Sequence, residues 1–526
     1  MTSAGLRGTA RAVTADNEKQ AYRTVYLFTV VICFFTESIP STVYLSRMMR
    51  VLKCGFTLGV LVFIMLSQAC REAEPPPIDF AVDVGSSEIP YIVIDTRGAE
   101  IQFEPKTPAT LKVYERKNLV QEQSIGIDYR GKTSYRLSNK KGYNFETTDG
   151  AGQDVDVSFF GFPAEEDWRL IGHVVNLDDK YIFDKTLMYN FVAYELSRSI
   201  GRYAARCKFV ELELNGEYLG VYVFTEKPKR YSNRINIRSL NSGSTNLTGG
   251  YILTIDKVSL GDAAIGKPLS YFDNNWDDDA RYTAQNSFRS RYDINRGIIT
   301  FPAFGPPYHP QKYLETYFLY EYPDAADITD AQKQYIANYV DQFETALLTD
   351  NFTTTRTYTN FIDRSTFVDY FIINELCRNV DAYRLSTYLQ KDRDGKLAMG
   401  PVWDFDIGFD NGGRIPMNDW VINYNQYVSS DAWMMPFWWP RLMEDQQFRA
   451  EVKQRWQALR ANALSNATLS ALVSNTADYL KANGAVRRNY DKWDQGIGVN
   501  YDQSVSDLRQ FLQQRAAWMD SKIGSF

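Results

Sequence analysis

The chain has 526 residues, with 58 Lys+Arg against 64 Asp+Glu for a formal charge of −6. So mild an acidity gives no electrostatic case for nucleic acid as a partner. Two histidines, His173 and His309, exclude a His-rich zinc site and give a Ser-His-Asp triad poor support.

The N-terminal region concerns export. Residues 48–70 read MMRVLKCGFTLGVLVFIMLSQAC. Arg50 and Lys53 form a basic start, and 56–66 is an apolar run too short for a comfortable membrane span. Leu66-Ser67-Gln68-Ala69-Cys70 looks like a bacterial lipobox, with Cys70 as the acylated residue; an ordinary signal peptide or membrane anchor is the alternative. The following REAEPPP suits a tether, and Glu72 and Glu74 fit surface export in a Bacteroidetes-like bacterium. The expectation is a cell-envelope lipoprotein, periplasmic or surface-exposed, anchored to the membrane through Cys70. Residues 1–47, with a separate apolar run at 25–35, read as a gene-model extension ahead of a start at Met48 or Met49. Beyond the leader only Cys207 and Cys377 remain; they read as buried thiols, with one disulfide as the alternative.

Alternating patterns predict strands over 89–115 and 124–147. Apolar residues at spacings of three and four predict a helix over 178–200, with Glu195 its polar exception. A hairpin over 209–225 turns at Asn215-Gly216, a strong turn signal, and another strand covers 249–256. Residues 259–310, rich in Asp, Asn, Gly and Tyr, read as an insertion or long loops. Helices are predicted over 329–348, 363–377 (capped by Asp363), 446–460, 469–482 and 504–523, with a strand pair at 387–389 and 397–403. The aromatic run 433–439 reads as core, with surface binding as the alternative.

The most informative stretch is GPVWDFDIGFDNGG, residues 400–413. Strand alternation aims Asp404 and Asp406 to one side of an apolar setting. Two buried acids are costly unless a cation or donors neutralise them, and Mg²⁺ or Ca²⁺ takes such oxygens. The alternatives are a β-turn with solvated acids and a structural Ca²⁺ site at Asp404, Asp406 and Asp410. Upstream, Arg130, Lys132, Arg136, Lys140 and Lys141 crowd a strand region able to hold phosphates; a solvated charged hairpin is the bland reading. Anion-binding Lys/Arg joined to cation-binding Asp suits a metal-bound phosphate ester. Asp381, just past a predicted helix end, is placed to act as a base.

Several segments, in order, resemble the spore coat protein H (CotH) kinase family over roughly 89–526. They are Arg130-Gly131-Lys132-Thr133-Ser134, the Lys140-Lys141-x-Tyr143 strand, Trp168-Arg169-Leu170, and the hairpin around Asn215-Gly216 closing on Glu226. Gly249-Gly250-Tyr251, Asn374-Glu375-Leu376 with Asn379 and Asp381, and Trp403-Asp404-Phe405-Asp406 follow. The resemblance implies an α+β, atypical protein-kinase-like bilobal fold, with a β-rich N-lobe and a mainly helical C-lobe. It implies ATP as substrate, Mg²⁺ (or Mn²⁺), and γ-phosphoryl transfer to a Ser/Thr-type hydroxyl of a protein or other acceptor. By motif, Asp381 is the catalytic Asp, and Asp404 with Asp406 holds the metal. Lys141 or Lys140, assisted by Arg130, contacts phosphate; Glu195 partners that lysine, and Glu226 lines the adenine pocket. The implied organisation is 48–70 signal peptide, 71–88 tether, 89–120 N-terminal β segment, 121–258 N-lobe, 259–326 insertion and loops, and 327–526 C-lobe. The rival reading is a surface lipoprotein binding glycan or a partner protein on the same scaffold without phosphotransfer.

Overall fold

Strands of the first part of the body close into a barrel. A computed structural model describes residues 80–258, 282–304, 314–409, 413–429, 431 and 433–526. Residues 1–70, with Cys70, lie outside the described residues, as do residues 71–79 of the tether and Asp410. The strands are β1 (Tyr91–Asp95), β2 (Thr107–Glu115), β3 (Asn118–Arg130), β4 (Gly142–Thr148), β5 (Asp167–Ile171), the short pair β6 (Val175–Asn176) and β7 (Tyr181–Ile182), β8 (Cys207–Leu214) and β9 (Glu217–Glu226). The barrel runs β1-β2-β3-β4-β5-β9-β8 and closes where β8 pairs parallel with β1. Each wall strand sends a pair of residues two apart to the interior: Ile92 and Ile94, Ile125 and Ile127, Trp168 and Leu170, Tyr222 and Phe224 among them. Closure leaves no edge strand to template aggregation. Strand β3 runs straight through residue 120, so 89–120 is not a separate segment but part of this barrel.

Two local expectations need correction. Residues 133–137 form a one-turn helix, α1 (Thr133–Leu137), rather than strand. Gly131, at φ +89°, turns the chain, and Ser138 N–H donates back to the Ser134 carbonyl. The five basic residues therefore do not share one strand face. The helix predicted from 178 begins only at α2 (Tyr189–Ser199). Asp184 accepts hydrogen bonds from the Thr186 N–H and hydroxyl and from the Tyr189 N–H, and Lys180 and Leu187 are left-handed, so the approach is a turn.

The second sheet has the order β11-β12-β10-β13-β14, from β10 (Tyr251–Ile255), β11 (Ser287–Arg289), β12 (Tyr317–Tyr322), β13 (Thr387–Lys391) and β14 (Leu397–Met399). Strands β11 and β12 fall inside the stretch read as an insertion, yet β12 pairs directly with β10. The remaining helices are α3 (Asp330–Thr349), α4 (Arg364–Leu376), α5 (Tyr424–Tyr427), α6 (Trp438–Leu442), α7 (Gln446–Arg460), α8 (Asn466–Ala482), α9 (Ala485–Trp493) and α10 (Tyr501–Gly524). Thr329 and Gln332 make a reciprocal capping box on α3, and Asp363 caps α4 through the Ser365 N–H. Helix α4 is buried from Thr366 to Leu376 and joins one large core with α2, the second sheet and the C-terminal helices. Trp438 and Trp439 lie in that core, and Cys207 and Cys377 are free and buried. Among the described residues no helix is long and apolar enough to cross a membrane.

The C-terminal part returns to the barrel through α9, which the sequence reading missed. Arg488 pairs with the fully buried Glu211 of β8 at 2.5 Å. Asn489 Oδ1 accepts from Lys140 Nζ at 2.9 Å and from the Val221 N–H at 3.0 Å, and Trp493 Nε1 donates to the Leu219 carbonyl at 2.9 Å. Gly220, at φ +92°, permits the approach, since a Cβ there would stand 2.5 Å from Asn489 Oδ1.

Candidate active site

The chain leaves β14 through Gly400-Pro401, and the next residues carry the acid pair. Trp403 stacks on Tyr194 of α2, with ring centroids 5.5 Å apart. Asn190, one helical turn before Tyr194, locks the segment from both ends of its amide. Its Nδ2 donates to Asp406 Oδ1 at 2.6 Å, and its Oδ1 accepts from the Phe405 N–H at 2.8 Å. Ser386 donates its hydroxyl to Asp404 Oδ2 at 3.3 Å. Asp404 and Ser386 both have left-handed backbone, as do Arg378, Tyr383 and Phe409 nearby. Such conformations cost about 1–3 kcal/mol each and gather where a structure fixes functional groups.

Burial pushes the Asp404 carboxyl up, and Asp406 beside it adds to the rise; Asp406 is itself raised by burial. Arg130 pulls both back, while the negative charge of Asp381 opposes it. The guanidiniums of Arg130 and Arg169 lie 5.8 and 4.9 Å from the centre of the Trp403 ring. Burial and then its neighbour Arg169 push the Arg130 pKa down; Asp404 and Asp406 oppose that. Arg169 Nε is buried with no hydrogen-bond partner. Two like-charged guanidiniums near one another favour an anion, and the raised acids beside Arg130 favour a cation. Hard carboxylate oxygens fit Mg²⁺ or Mn²⁺, which needs only one or two carboxylates when phosphates complete its shell.

Asp381 follows α4 and is tied to the acid pair through Asn379. The Asn379 Nδ2 donates to the Asp404 carbonyl at 2.9 Å, and its Oδ1 accepts the Asp381 N–H at 3.2 Å. Arg384 Nη2 donates to Asp381 Oδ1 at 2.5 Å. The structure thus brings together Asp381, Asp404, Asp406 and Arg130.

The other expected residues are engaged elsewhere. Lys140 is buried and donates to the Val221 carbonyl at 2.6 Å and to Asn489. Lys141 donates to the Tyr135 and Ser138 carbonyls, both at 2.7 Å, because α1 folds back over its side chain. Glu195 pairs with Arg198 on its own helix and with neither lysine. Glu226 is fully buried, accepts from Arg206 Nη1 at 2.6 Å and from the Arg206 N–H, and faces Arg234; these arginines, not an open pocket, surround it. The residues the sequence reading missed are Arg169, Asn190, Arg384 and Ser386. Arg169 had a faint signal as the cation in a Trp-Arg-Leu strand, and the others had none.

Volume and chemistry point to different places. Two cavities, of ≈1140 and ≈270 Å³, are lined by Arg202, Asp369 and Gln390 among others, and neither by Asp381, Asp404 or Asp406. The charge arrangement, being specific, identifies the site better than volume does. Among the described residues, the three acids whose oxygens converge are Asp156, Glu165 and Glu166 on the barrel. There Lys229 already pairs with Glu165 and Glu166, at 2.6 and 2.7 Å.

A family model described as CotH kinase protein matches residues 127–519. No curated protein matches the chain.

Proposed function

The chain belongs to the CotH kinase family, and from that membership we propose that it is an atypical protein-kinase-like enzyme of the cell envelope, anchored through Cys70, that transfers the γ-phosphoryl group of ATP to a Ser/Thr-type hydroxyl. In this reading the barrel with α2 is the N-lobe, and the second sheet with the remaining helices is the C-lobe. The observation that carries it is the half-buried pair Asp404 and Asp406 beside the guanidinium of Arg130, whose own neighbour over the Trp403 ring is Arg169. Phosphoryl transfer needs positioned charge more than covalent chemistry.

Asp404 and Asp406 would hold Mg²⁺ or Mn²⁺, which when bound neutralises phosphate charge. Arg130 keeps its part in the phosphate contact, and Arg169 beside it takes the part expected of Lys141 or Lys140. Asp381 orients the acceptor hydroxyl. With Arg384 on Oδ1, its Oδ2 receives the hydroxyl proton. The acceptor oxygen bonds the γ-phosphorus as the bond from that phosphorus to the β–γ bridging oxygen breaks, and ADP leaves. Asn190 keeps Asp406 aimed, so the acids need no rearrangement before transfer.

The test is thermal unfolding of the purified chain with ATP, with Mg²⁺ or Mn²⁺, and with both, in wild type and Asp404→Ala. A ligand at ~100-fold over its Kd adds about 2.7 kcal/mol to the folded state. A metal-dependent ATP shift that Asp404→Ala abolishes is expected. No shift with any nucleotide would sink the reading in favour of a binding lipoprotein.

A further inference from the structure

Arg384 is 1 % exposed and spends its donors on two separate parts of the chain. Its Nε donates to the Val380 carbonyl at 2.9 Å and its Nη2 to Asp381 Oδ1. Its Nη1 donates to the Trp433 carbonyl at 2.9 Å and to Asp431 Oδ2 at 3.3 Å. The guanidinium lies 4.2 Å from the centre of the Tyr424 ring. Asp431 in turn accepts from the Tyr424 hydroxyl and from the Trp433 N–H, and Arg414 stands 3.6 Å away. One buried cation therefore bridges Asp381 and an acid fifty residues further on.

We propose that Arg384 is a positioning residue for Asp381, and that Asp431 completes the device by fixing the guanidinium that holds the carboxylate. The inference rests on the phosphotransfer reading and goes further, because it makes the orientation of Asp381 depend on residues that touch no nucleotide. The planar fork of arginine suits this role. It holds two carboxylates in fixed directions at once, whereas an ammonium offers a single point charge. Without Asp431 the fork keeps the Val380 and Trp433 carbonyls but loses its only charged anchor on that side, and Asp381 Oδ2 is held less firmly toward the acceptor. A misplacement of about 1 Å costs up to ~100-fold in rate, and it acts on the transfer step rather than on ATP binding.

The experiment measures release or self-transfer of ³²P from [γ-³²P]ATP with Mg²⁺ by the full-length chain, for wild type, Asp431→Asn and Arg384→Lys. Asp431→Asn should lower kcat ~10-fold and Arg384→Lys at least as much, with KM for ATP within about twofold of wild type. The Mg²⁺-ATP thermal shift should stay intact in both. A general structural defect would instead move KM, kcat and the shift together, and that result overturns the proposal, as does an unchanged kcat in Asp431→Asn. Should that variant not fold, Tyr424→Phe removes one donor to Asp431 while keeping every charge. A lower kcat with constant KM then supports the proposal, and an unchanged kcat overturns it. A wild type that neither turns over ATP nor shifts with it removes the phosphotransfer reading itself, and the proposal with it. Wild-type turnover with indifferent variants removes the proposal alone.

Discussion

Glu344 on α3 offers a sharp test of how the large core is held. It is 1 % exposed, and its oxygens meet the Ser290 hydroxyl at 2.9 and 3.0 Å and Trp438 Nε1 at 2.9 Å. Ser290 Oγ also accepts the Tyr292 N–H and sits 2.9 Å from the Tyr292 carbonyl. One hydroxyl has one proton, so Ser290 satisfies the carbonyl only if Glu344 is itself the donor, and that requires a neutral acid. Burial, the dominant cause, raises its pKa from 4.5 to about 8. At about 1.36 kcal/mol for each pH unit, that gap is worth about 5 kcal/mol. The folded state binds the proton more tightly than the unfolded chain. The stabilisation is therefore complete below about pH 4.5, declines as pH rises, and is gone above about pH 8. Glu344→Gln keeps an acceptor for Trp438 and an N–H donor for Ser290 but does not titrate. Urea unfolding followed by tryptophan fluorescence from pH 5 to 9 should show the variant gaining on wild type by up to about 1.4 kcal/mol per pH unit. Parallel curves, with a constant gap at every pH, would refute the neutral-acid argument.

Two further tests address the framework around the site. Glu375 and Arg515 are both fully buried and paired at 3.0 Å, and Glu375 also accepts the Val421 and Ile422 N–H groups. Arg515→Met should cost about 3–5 kcal/mol at pH 8 by stranding a buried acid, and adding Glu375→Gln should recover much of it in urea unfolding. Lys140→Met should lower the melting temperature, since it removes the donor to Val221 and Asn489, but leave the affinity for Mg²⁺-ATP within about twofold once folded. A selective loss of ATP binding would return Lys140 to the phosphate site.

Much of the frame was legible because local pattern decided it. The two-residue alternation of β1 to β4, β8 and β9 survives in the barrel interior, and Asn215-Gly216 turns the hairpin with both residues left-handed. The side-chain oxygens of Asp363 and Thr329 start α4 and α3 as their positions suggest. The acid pair stood out because acids rarely sit in so apolar a run. What stayed hidden depended on partners far away in sequence. That Lys140 turns away while Arg169 lies over the Trp403 ring depends on Asn489 capturing the one and Trp403 receiving the other. Asn190 and Arg384 look unremarkable in their own segments and acquire meaning only against residues 405, 406 and 431. Helix α9 was passed over because its sequence, AVRRNYDKW, is mostly polar, although its buried face supplies Arg488 and Asn489.

The return of α9 to the barrel also has a consequence in time. Glu211 is placed in β8, but the arginine that neutralises it is 277 positions later. At ribosomal speeds of about 5–20 residues per second, that partner follows by roughly 14–55 s. Throughout that interval an emerging barrel would hold a carboxylate at Glu211 with the Tyr218 hydroxyl but no arginine, and an ammonium at Lys140 still lacking Asn489. A nascent chain in that condition has reason to remain open, and so to stay accessible to whatever handles unfinished polypeptides, until Arg488 and Asn489 are made.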